Sequence, residues 1–290
     1  MPLPSAPQSH TTQPTPNSVL RPNQVNKYRA HWEFANAQSA VQTTPPWIQV
    51  ARSNLCNFTC VYCSDHRLGN TIPRTRNEGE AWDRLLTLIP RSETMAFHGV
   101  SEFMMDPEFS DIVTRCARAK VALIINTNGS VCTPKHRELL AAYPESLTMI
   151  FSVDAATPET FRHIRGWDFQ RVIENIRAYV ACLRPRSCHT FIMLSFVITK
   201  SNVHEMVQFV ALGKSLGVDF IRFSRLHEYT GLDWRIETAA GRIFDYREEC
   251  TPHFVDEHNR NVVAAQAAAE VEGVAVELPP LMAVADGVIE

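Results

Sequence analysis

From Trp47 onward the chain repeats one pattern: a short apolar, β-branched run, then a stretch with helical periodicity, then another run. The runs are Trp47–Ala51, Thr94–His98, Val121–Asn126, Thr148–Val153, Thr190–Thr199 and Phe220–Leu226. Between them, helical spacing appears in Glu78–Leu88, Glu108–Arg118, Pro134–Tyr143, Phe169–Leu183 and Val203–Leu216. Thr133 before Pro134 and Asn202 before Val203 mark helix starts. Several runs are continuously apolar, as strands covered on both faces must be. Six βα units in succession predict an α/β fold with a parallel sheet and right-handed crossovers. Six units suit a partial barrel that stops short of the closed eight-stranded form, and an open doubly wound sheet has the same periodicity. In either, the loops at the carboxyl ends of the strands carry the chemistry.

Composition narrows the class. Residues 1–27 are rich in Pro, Ser, Thr, Gln and Asn, with Arg21 and Lys27 as their only charges. Such a stretch buries too little apolar surface to offset ordering entropy and reads as a disordered arm. Residues 28–226 form the barrel unit. Residues 227–290, with a helix expected over Glu257–Glu272 and a short strand over Val274–Leu278, read as a C-terminal extension over the barrel mouth. The 290 residues carry 28 basic and 31 acidic side chains, so no footprint for nucleic acid or anionic lipid is expected. No apolar run approaches the ~20 residues of a membrane span, and no signal-peptide pattern opens the chain. Eight cysteines without an export signal point to reduced thiols or a metal site in a cytoplasmic protein.

The loop after the first run holds the sharpest local signal, Cys56-Asn-Phe-Thr-Cys60-Val-Tyr-Cys63. Chance places this spacing in roughly six of a thousand chains with this cysteine content. Three thiolates within eight residues can converge on one metal centre. Structural zinc takes four ligands, and His66 is available as the fourth. The other reading is a [4Fe–4S] cluster held by Cys56, Cys60 and Cys63, with one iron left open to bind something else.

With this CxxxCxxC spacing, and Tyr62 just before its third cysteine, the chain resembles the radical S-adenosylmethionine (SAM) superfamily over about residues 47–226. Three further segments carry the resemblance. His98-Gly99-Val100-Ser101-Glu102 is similar to the family's Gly-Gly-Glu segment with one Gly replaced. Asn126-Thr127-Asn128-Gly129 follows the third run. Ser152-Val153-Asp154-Ala155, then Thr157-Pro158-Glu159-Thr160 and Ile164-Arg165-Gly166, is similar to the fourth-strand and helix signature of many members. The resemblance implies a partial (β/α)6 barrel, a [4Fe–4S] cluster, SAM and an external electron donor such as flavodoxin or ferredoxin. It further implies that the reduced cluster cleaves SAM and that the resulting 5′-deoxyadenosyl radical abstracts a substrate hydrogen. It places the Tyr62 backbone against adenine and Ser101 and Glu102 against the methionine part, with Asn126 and Asn128 close by.

The chemistry of these residue types agrees. A methionine zwitterion needs an acceptor for its ammonium and a cation for its carboxylate, tasks suited to Glu102 and Arg165. Ribose hydroxyls need short polar partners, and Ser152 and Asp154 alternate onto one strand face. Gly99 lets a ligand approach the backbone. The plainer alternatives are that Asp154 and Asn126 cap helices and that Arg165 forms a surface ion pair.

The remaining cysteines bear on the outcome for the substrate. Cys116, Cys132, Cys182 and Cys188 read as core or indifferent thiols. Only Cys250 follows residue 188, so an auxiliary-cluster domain is not expected. Cys250 is the candidate hydrogen-atom donor: delivery to the face opposite abstraction inverts the carbon, which is epimerisation. Residues 228–257 contain eight acidic side chains (Glu228, Asp233, Glu237, Asp245, Glu248, Glu249, Asp256, Glu257) against Arg235, Arg242 and Arg247. Such a lid favours a cationic aminosugar, and Tyr229, Trp234, Phe244 and Tyr246 are available to stack on it. The competing readings are a peptide-modifying or sugar-oxidising enzyme of the same superfamily, and a zinc-binding module without catalysis.

Overall fold

The computed structural model describes residues 20–63, 73–186, 189–227, 235–237, 241 and 243–283. The strands are β1 (Trp47–Val50), β2 (Thr94–Phe97), β3 (Ala122–Thr127), β4 (Leu147–Ser152), β5 (Thr190–Ile198), β6 (Phe220–Arg225), β7 (Arg235–Glu237), β8 (Ile243–Asp245) and β9 (Ala275–Glu277). The helices are α1 (Pro22–Ala35), α2 (Gly79–Leu88), α3 (Phe109–Ala119), α4 (Pro134–Ala141), α5 (Pro158–Arg165), α6 (Phe169–Leu183), α7 (Met206–Leu216), α8 (Tyr246–Glu249) and α9 (Val255–Glu272). Seven strands form one sheet in the order β1-β2-β3-β4-β5-β6-β9, and every neighbouring pair is parallel. β1 and β9 are its edges, so the sheet curves as an unclosed barrel. β7 and β8 pair antiparallel apart from it.

Local chemistry fixes the crossovers. Thr133, Thr157 and Asp168 accept from the main-chain N–H groups of His136, Thr160 and Arg171, capping α4, α5 and α6. Gly166, Gly217 and Gly273 end α5, α7 and α9 in the left-handed conformation. In β3 and β4 buried residues alternate with half-buried ones. Leu123, Ile125, Leu147, Met149 and Phe151 are buried in the main core. The half-buried Asn126 and Ser152 line a cavity inside the curve. That face is mixed: Ile124 and Ile150 share it with Asn126 and Ser152, which stand at the carboxyl ends of the two strands. The register sets Val50 beside Phe97, Thr127 beside Phe151 and Ser152 beside Ser195, which gathers the carboxyl-end loops at one rim.

Two expectations need correction. Helix α1 begins at Pro22, inside the stretch read as a disordered arm. Its ordering comes from polar anchors, because Asn26 donates to the Thr44 and Arg91 carbonyls at 2.8 and 3.0 Å, and an apolar criterion does not see these. Residues 255–277 do not lie over the mouth: α9 packs on α7, and β9 adds a seventh strand beside β6. Among the described residues no helix is long and apolar enough to cross a membrane.

Candidate active site

The cysteine loop leaves the end of β1 on a braced base. Asn54 accepts at its side chain from the Thr75 N–H at 2.7 Å, and the Asn77 N–H donates to the Arg52 carbonyl at 2.8 Å. The chain after the loop thus returns antiparallel to the chain before it. The Arg52 side chain is buried beneath, 2.7 Å from Glu108, 3.5 Å from Asp106 and 3.9 Å from the Trp82 ring centroid. Further on, the Val61 N–H donates to the Ile164 carbonyl at 2.9 Å, and the Glu102 N–H to the Leu55 carbonyl at 2.8 Å. These bonds tie the loop to the chain segments after β2 and in α5.

Cys56, Cys60 and Cys63 line one cavity of about 430 Å³ at the rim. Burial pushes the Cys56 thiol up to about 11, and burial likewise raises Cys60, with the Arg165 guanidinium pulling the other way. N–H groups already aim at the sulfurs: Phe58 N at 3.5 Å and Asn128 Nδ2 at 3.6 Å from Cys56, and Arg165 Nη1 at 3.5 Å from Cys60. The three thiols border this one cavity, a donor set that suits a [4Fe–4S] cluster with one iron left open. His66, the fourth ligand of the zinc alternative, lies outside the described residues.

Eleven of the thirteen expected site residues line this cavity: the three cysteines with Tyr62, Gly99, Ser101, Glu102, Asn126, Asn128, Ser152 and Arg165. Glu102 is buried. Its carboxylate accepts from Met104 N at 3.1 Å, Thr127 Oγ1 at 2.9 Å and Asn128 N at 2.6 Å. Burial nonetheless raises its pKa to about 7. A buried carboxylate held this way gains from a cationic ligand. Asn126 Oδ1 and Arg165 Nε are buried without a hydrogen-bond partner, open polar valences that a ligand in the cavity would satisfy. Gly99 has φ +150°, and a Cβ there would stand 2.8 Å from the Ala51 side chain. The residues present therefore fit both a cluster and a zwitterionic, polar ligand.

Asp154 and Cys250 do not line the cavity. Asp154 follows β4 in the left-handed conformation, φ +62°, wholly buried. Its carboxylate bonds the Tyr62 hydroxyl, pairs with Arg165 and accepts from Val197 N at 2.8 Å. Burial works against the Arg165 charge, yet this carboxylate holds the guanidinium protonated well above its ordinary range. Asp154 is thus placed behind Tyr62 and Arg165, not on a face with Ser152, because the chain turns at Asp154, two residues after β4 ends. Nor is Arg165 at the surface. Glu205 fastens the next turn by accepting from Ala156 N at 2.6 Å and Thr157 Oγ1 at 2.5 Å.

Cys250 is 1% exposed and packs with Val61, Ile164, Phe244 and Tyr246; Tyr62 and Leu226 flank this cluster. Tyr246, Tyr62 and Leu226 all line the cavity, so the thiol sits one side chain behind its wall. The described acids of the late stretch do not line the cavity. Asp245 caps α8, and the Glu249 carboxylate takes Ser201 N at 2.8 Å and Ser201 Oγ at 2.5 Å. No described acidic residue of that stretch faces the cavity, whose rim carries Arg225 and His227 instead. Glu228, Tyr229, Asp233, Trp234, Arg242 and Cys188 lie outside the described residues. Cys116 is fully buried in the main core, and Cys132 and Cys182 are half-buried at its edge. Thr127, Val197, Arg225 and His227 were not anticipated as cavity residues. Only Thr127, inside its Asn-Thr-Asn-Gly segment, carried a sequence signal.

The profile of the Radical SAM superfamily matches residues 50–210. Among curated proteins, the probable GTP 3',8-cyclase of Saccharolobus islandicus is 25% identical over 191 residues, covering 62% of this chain and 56% of that protein. The probable GTP 3',8-cyclase of Halobacterium salinarum is 26% identical over 208 residues, 69% of this chain and 56% of that protein. The chain thus spans 56% of the length of these relatives. Among solved structures, Streptococcus suis SuiB bound to S-adenosylmethionine superposes with TM-score 0.64 at 14% identity, over 89% of this chain and 55% of that one. anSMEcpe with bound AdoMet gives TM-score 0.60 at 17% identity, over 80% and 64%. These structural likenesses establish the fold.

Proposed function

The chain belongs to the radical SAM superfamily, and on that premise we propose that it is an epimerase inverting a C–H stereocentre of a cationic aminoglycoside, as in the conversion of neomycin C to neomycin B. When bound, the [4Fe–4S] cluster and SAM of this family supply a primary carbon radical able to take a hydrogen atom from a substrate C–H bond. Cys56, Cys60 and Cys63 would hold the cluster. Glu102 would accept from the methionine ammonium, Arg165 would pair with its carboxylate, and Ser101 and Asn128 would border the same end. Asn126 and Ser152 would meet ribose hydroxyls, the Tyr62 backbone adenine, and Gly99 would let the ligand close on the chain. Asp154 would orient Tyr62 and Arg165 from behind.

The single observation that carries the epimerase reading is the Cys250 thiol, buried one side chain behind the cavity wall. Transfer from Cys250 breaks the S–H bond, forms the inverted substrate C–H bond and leaves a thiyl radical. One electron from a donor of the flavodoxin or ferredoxin class and one proton restore the thiol. The S–H bond is weaker than the sugar C–H bond it makes, so the step runs downhill. Tyr246, Tyr62 and Leu226 form the wall on that side, and the transfer would need one of them to move aside.

A second reading is a phosphate-bearing substrate. Arg225 and His227 at the rim and the similarity to probable GTP 3',8-cyclases favour it. Mass spectrometry after anaerobic incubation of reduced, reconstituted protein with SAM and neomycin C in D₂O separates the two. The epimerase reading predicts an epimer with one deuterium, formed alongside 5′-deoxyadenosine. Cys250→Ala should still yield deoxyadenosine but no inverted sugar. Full epimerisation by that variant overturns the donor, and turnover of GTP but not of the sugar moves the chain to the second reading.

A further inference from the structure

A second hollow lies at the opposite end of the strands from the cysteine cavity. It measures about 750 Å³, against about 430 Å³ for the first. The turn Ile89–Arg91 leads into β2 and Lys120 leads into β3, so this hollow sits at the amino ends of the strands. Helices α1, α2 and α3 all pack against that turn. Its walls are fixed without a ligand. Asn26 donates to the Arg91 carbonyl at 3.0 Å and Asn23 to the Lys120 carbonyl at 3.3 Å, which ties α1 to both sides.

The lining has two chemistries. Leu86, Ile89 and Pro90 make an apolar side. Arg21, Arg115, Arg118 and Lys120 make a cationic one, and no acidic side chain lines the hollow. Two acids from outside it each hold one of these cations: Glu145 lies 3.0 Å from Arg21, and Asp111 lies 2.6 Å from Arg115. Arg118 and Lys120 make no ion pair among the described residues. A chain of net charge −3 thus gathers four cations around one space and leaves two of them uncompensated. Arg115 and Arg118 also share a helix face at i, i+3, where like charges oppose each other. Cations in a last helical turn ordinarily answer its free carbonyls. Here the Lys120 and Val121 N–H groups already close the Ala117 and Cys116 carbonyls, both at 3.1 Å, and Arg21 comes from a different element.

We propose that this hollow binds a small organic phosphate, with its phosphoryl oxygens on Arg118 and Lys120 and its carbon part on Leu86, Ile89 and Pro90. Guanidinium and ammonium groups are the side chains that hold phosphate. The volume of about 750 Å³ falls within the ~300–1,000 Å³ of small-molecule sites. A bound dianion removes the repulsion among the cations and fastens the start of α1 to the ends of α2 and α3. The ligand leaves the cysteine cavity free, because that cavity opens at the carboxyl ends.

Isothermal titration calorimetry with 1-naphthyl phosphate tests this on the full chain, with the cluster reconstituted and SAM saturating so that the cysteine cavity is filled. One molecule should bind per chain, and a hundredfold excess over Kd should raise Tm by about 5 °C. Arg118→Gln and Lys120→Asn should each weaken binding at least tenfold, the loss of one charge-assisted bond, with SAM cleavage unchanged. Asn suits the left-handed φ of +56° at position 120. Arg84→Gln, on α2 but outside the lining, should bind as the wild type does. Inorganic phosphate and 1-naphthol, each with half of the recognised chemistry, should bind at least tenfold more weakly. Absence of binding at millimolar 1-naphthyl phosphate, or binding unchanged in both variants, overturns the proposal. Inorganic phosphate held as tightly overturns the organic class of ligand, and 1-naphthol held as tightly overturns the phosphate.

Discussion

Replacing Glu102 with Gln in cluster-free protein isolates the electrostatics of the cavity floor. The folded carboxyl titrates at about 7 against an ordinary 4.5 because burial disfavours its charge. Between these values the native state binds more protons than the unfolded chain, so stability is present at low pH and falls as pH rises through the window. At about 1.4 kcal/mol per unit, the loss between pH 5 and pH 8 is about 2 kcal/mol. Gln does not titrate, so the variant escapes this loss. It has its own pH-independent penalty, since its amide NH₂ must face one of the donors now served by the carboxylate. Every other titrating group cancels in the difference between the two proteins. Urea unfolding at pH 5, 6, 7 and 8 under reducing conditions should therefore show the stability difference moving toward the variant by about 2 kcal/mol, on the order of 5 °C in Tm. A difference constant within ~0.5 kcal/mol across that range would refute the reasoning, and with it the picture of Glu102 as a strained acceptor awaiting a cation.

Two further outcomes follow from the same site. Cys60→Ala should lose the iron–sulfur absorbance and all SAM cleavage, since a cluster keeps no hold with two thiolates; anaerobic reconstitution with iron counting checks it. Asp154→Asn keeps a residue type that tolerates φ +62° but removes the buried charge facing Arg165, which should destabilise the fold by about 3–5 kcal/mol. SAM affinity, read by equilibrium dialysis, should fall with it, and an unchanged affinity would detach Asp154 from the positioning of Arg165.

The strands and helices between Trp47 and Arg225 were legible because apolar period and capping residues agree there, and all seven sheet strands, β9 included, start within one residue of their expected positions. The cysteine loop, Glu102 and Asn128 were legible because their chemistry is local to short motifs. What escaped notice was set by contacts distant in sequence. Helix α1 hides its polar side, the reverse of the pattern amphipathic reasoning looks for. β9 is too short to announce that it joins the sheet, and only its pairing with β6 reveals this. Asp154 leaves the strand face through a left-handed turn that no periodicity encodes. The acids of the late segment look alike in sequence, but Asp245 and Glu249 are spent on a helix cap and on Ser201.

The cavity wall is assembled from both ends of the barrel's sequence, with Cys56 on one side and Tyr246 on the other. A ribosome moving at ~5–20 residues per second delivers Tyr246 some 10–40 s after Cys56. Until then the wall that Tyr246 contributes is missing, so the thiols are less covered during synthesis than in the folded chain, where Cys60 is buried and Cys56 and Cys63 are half-buried.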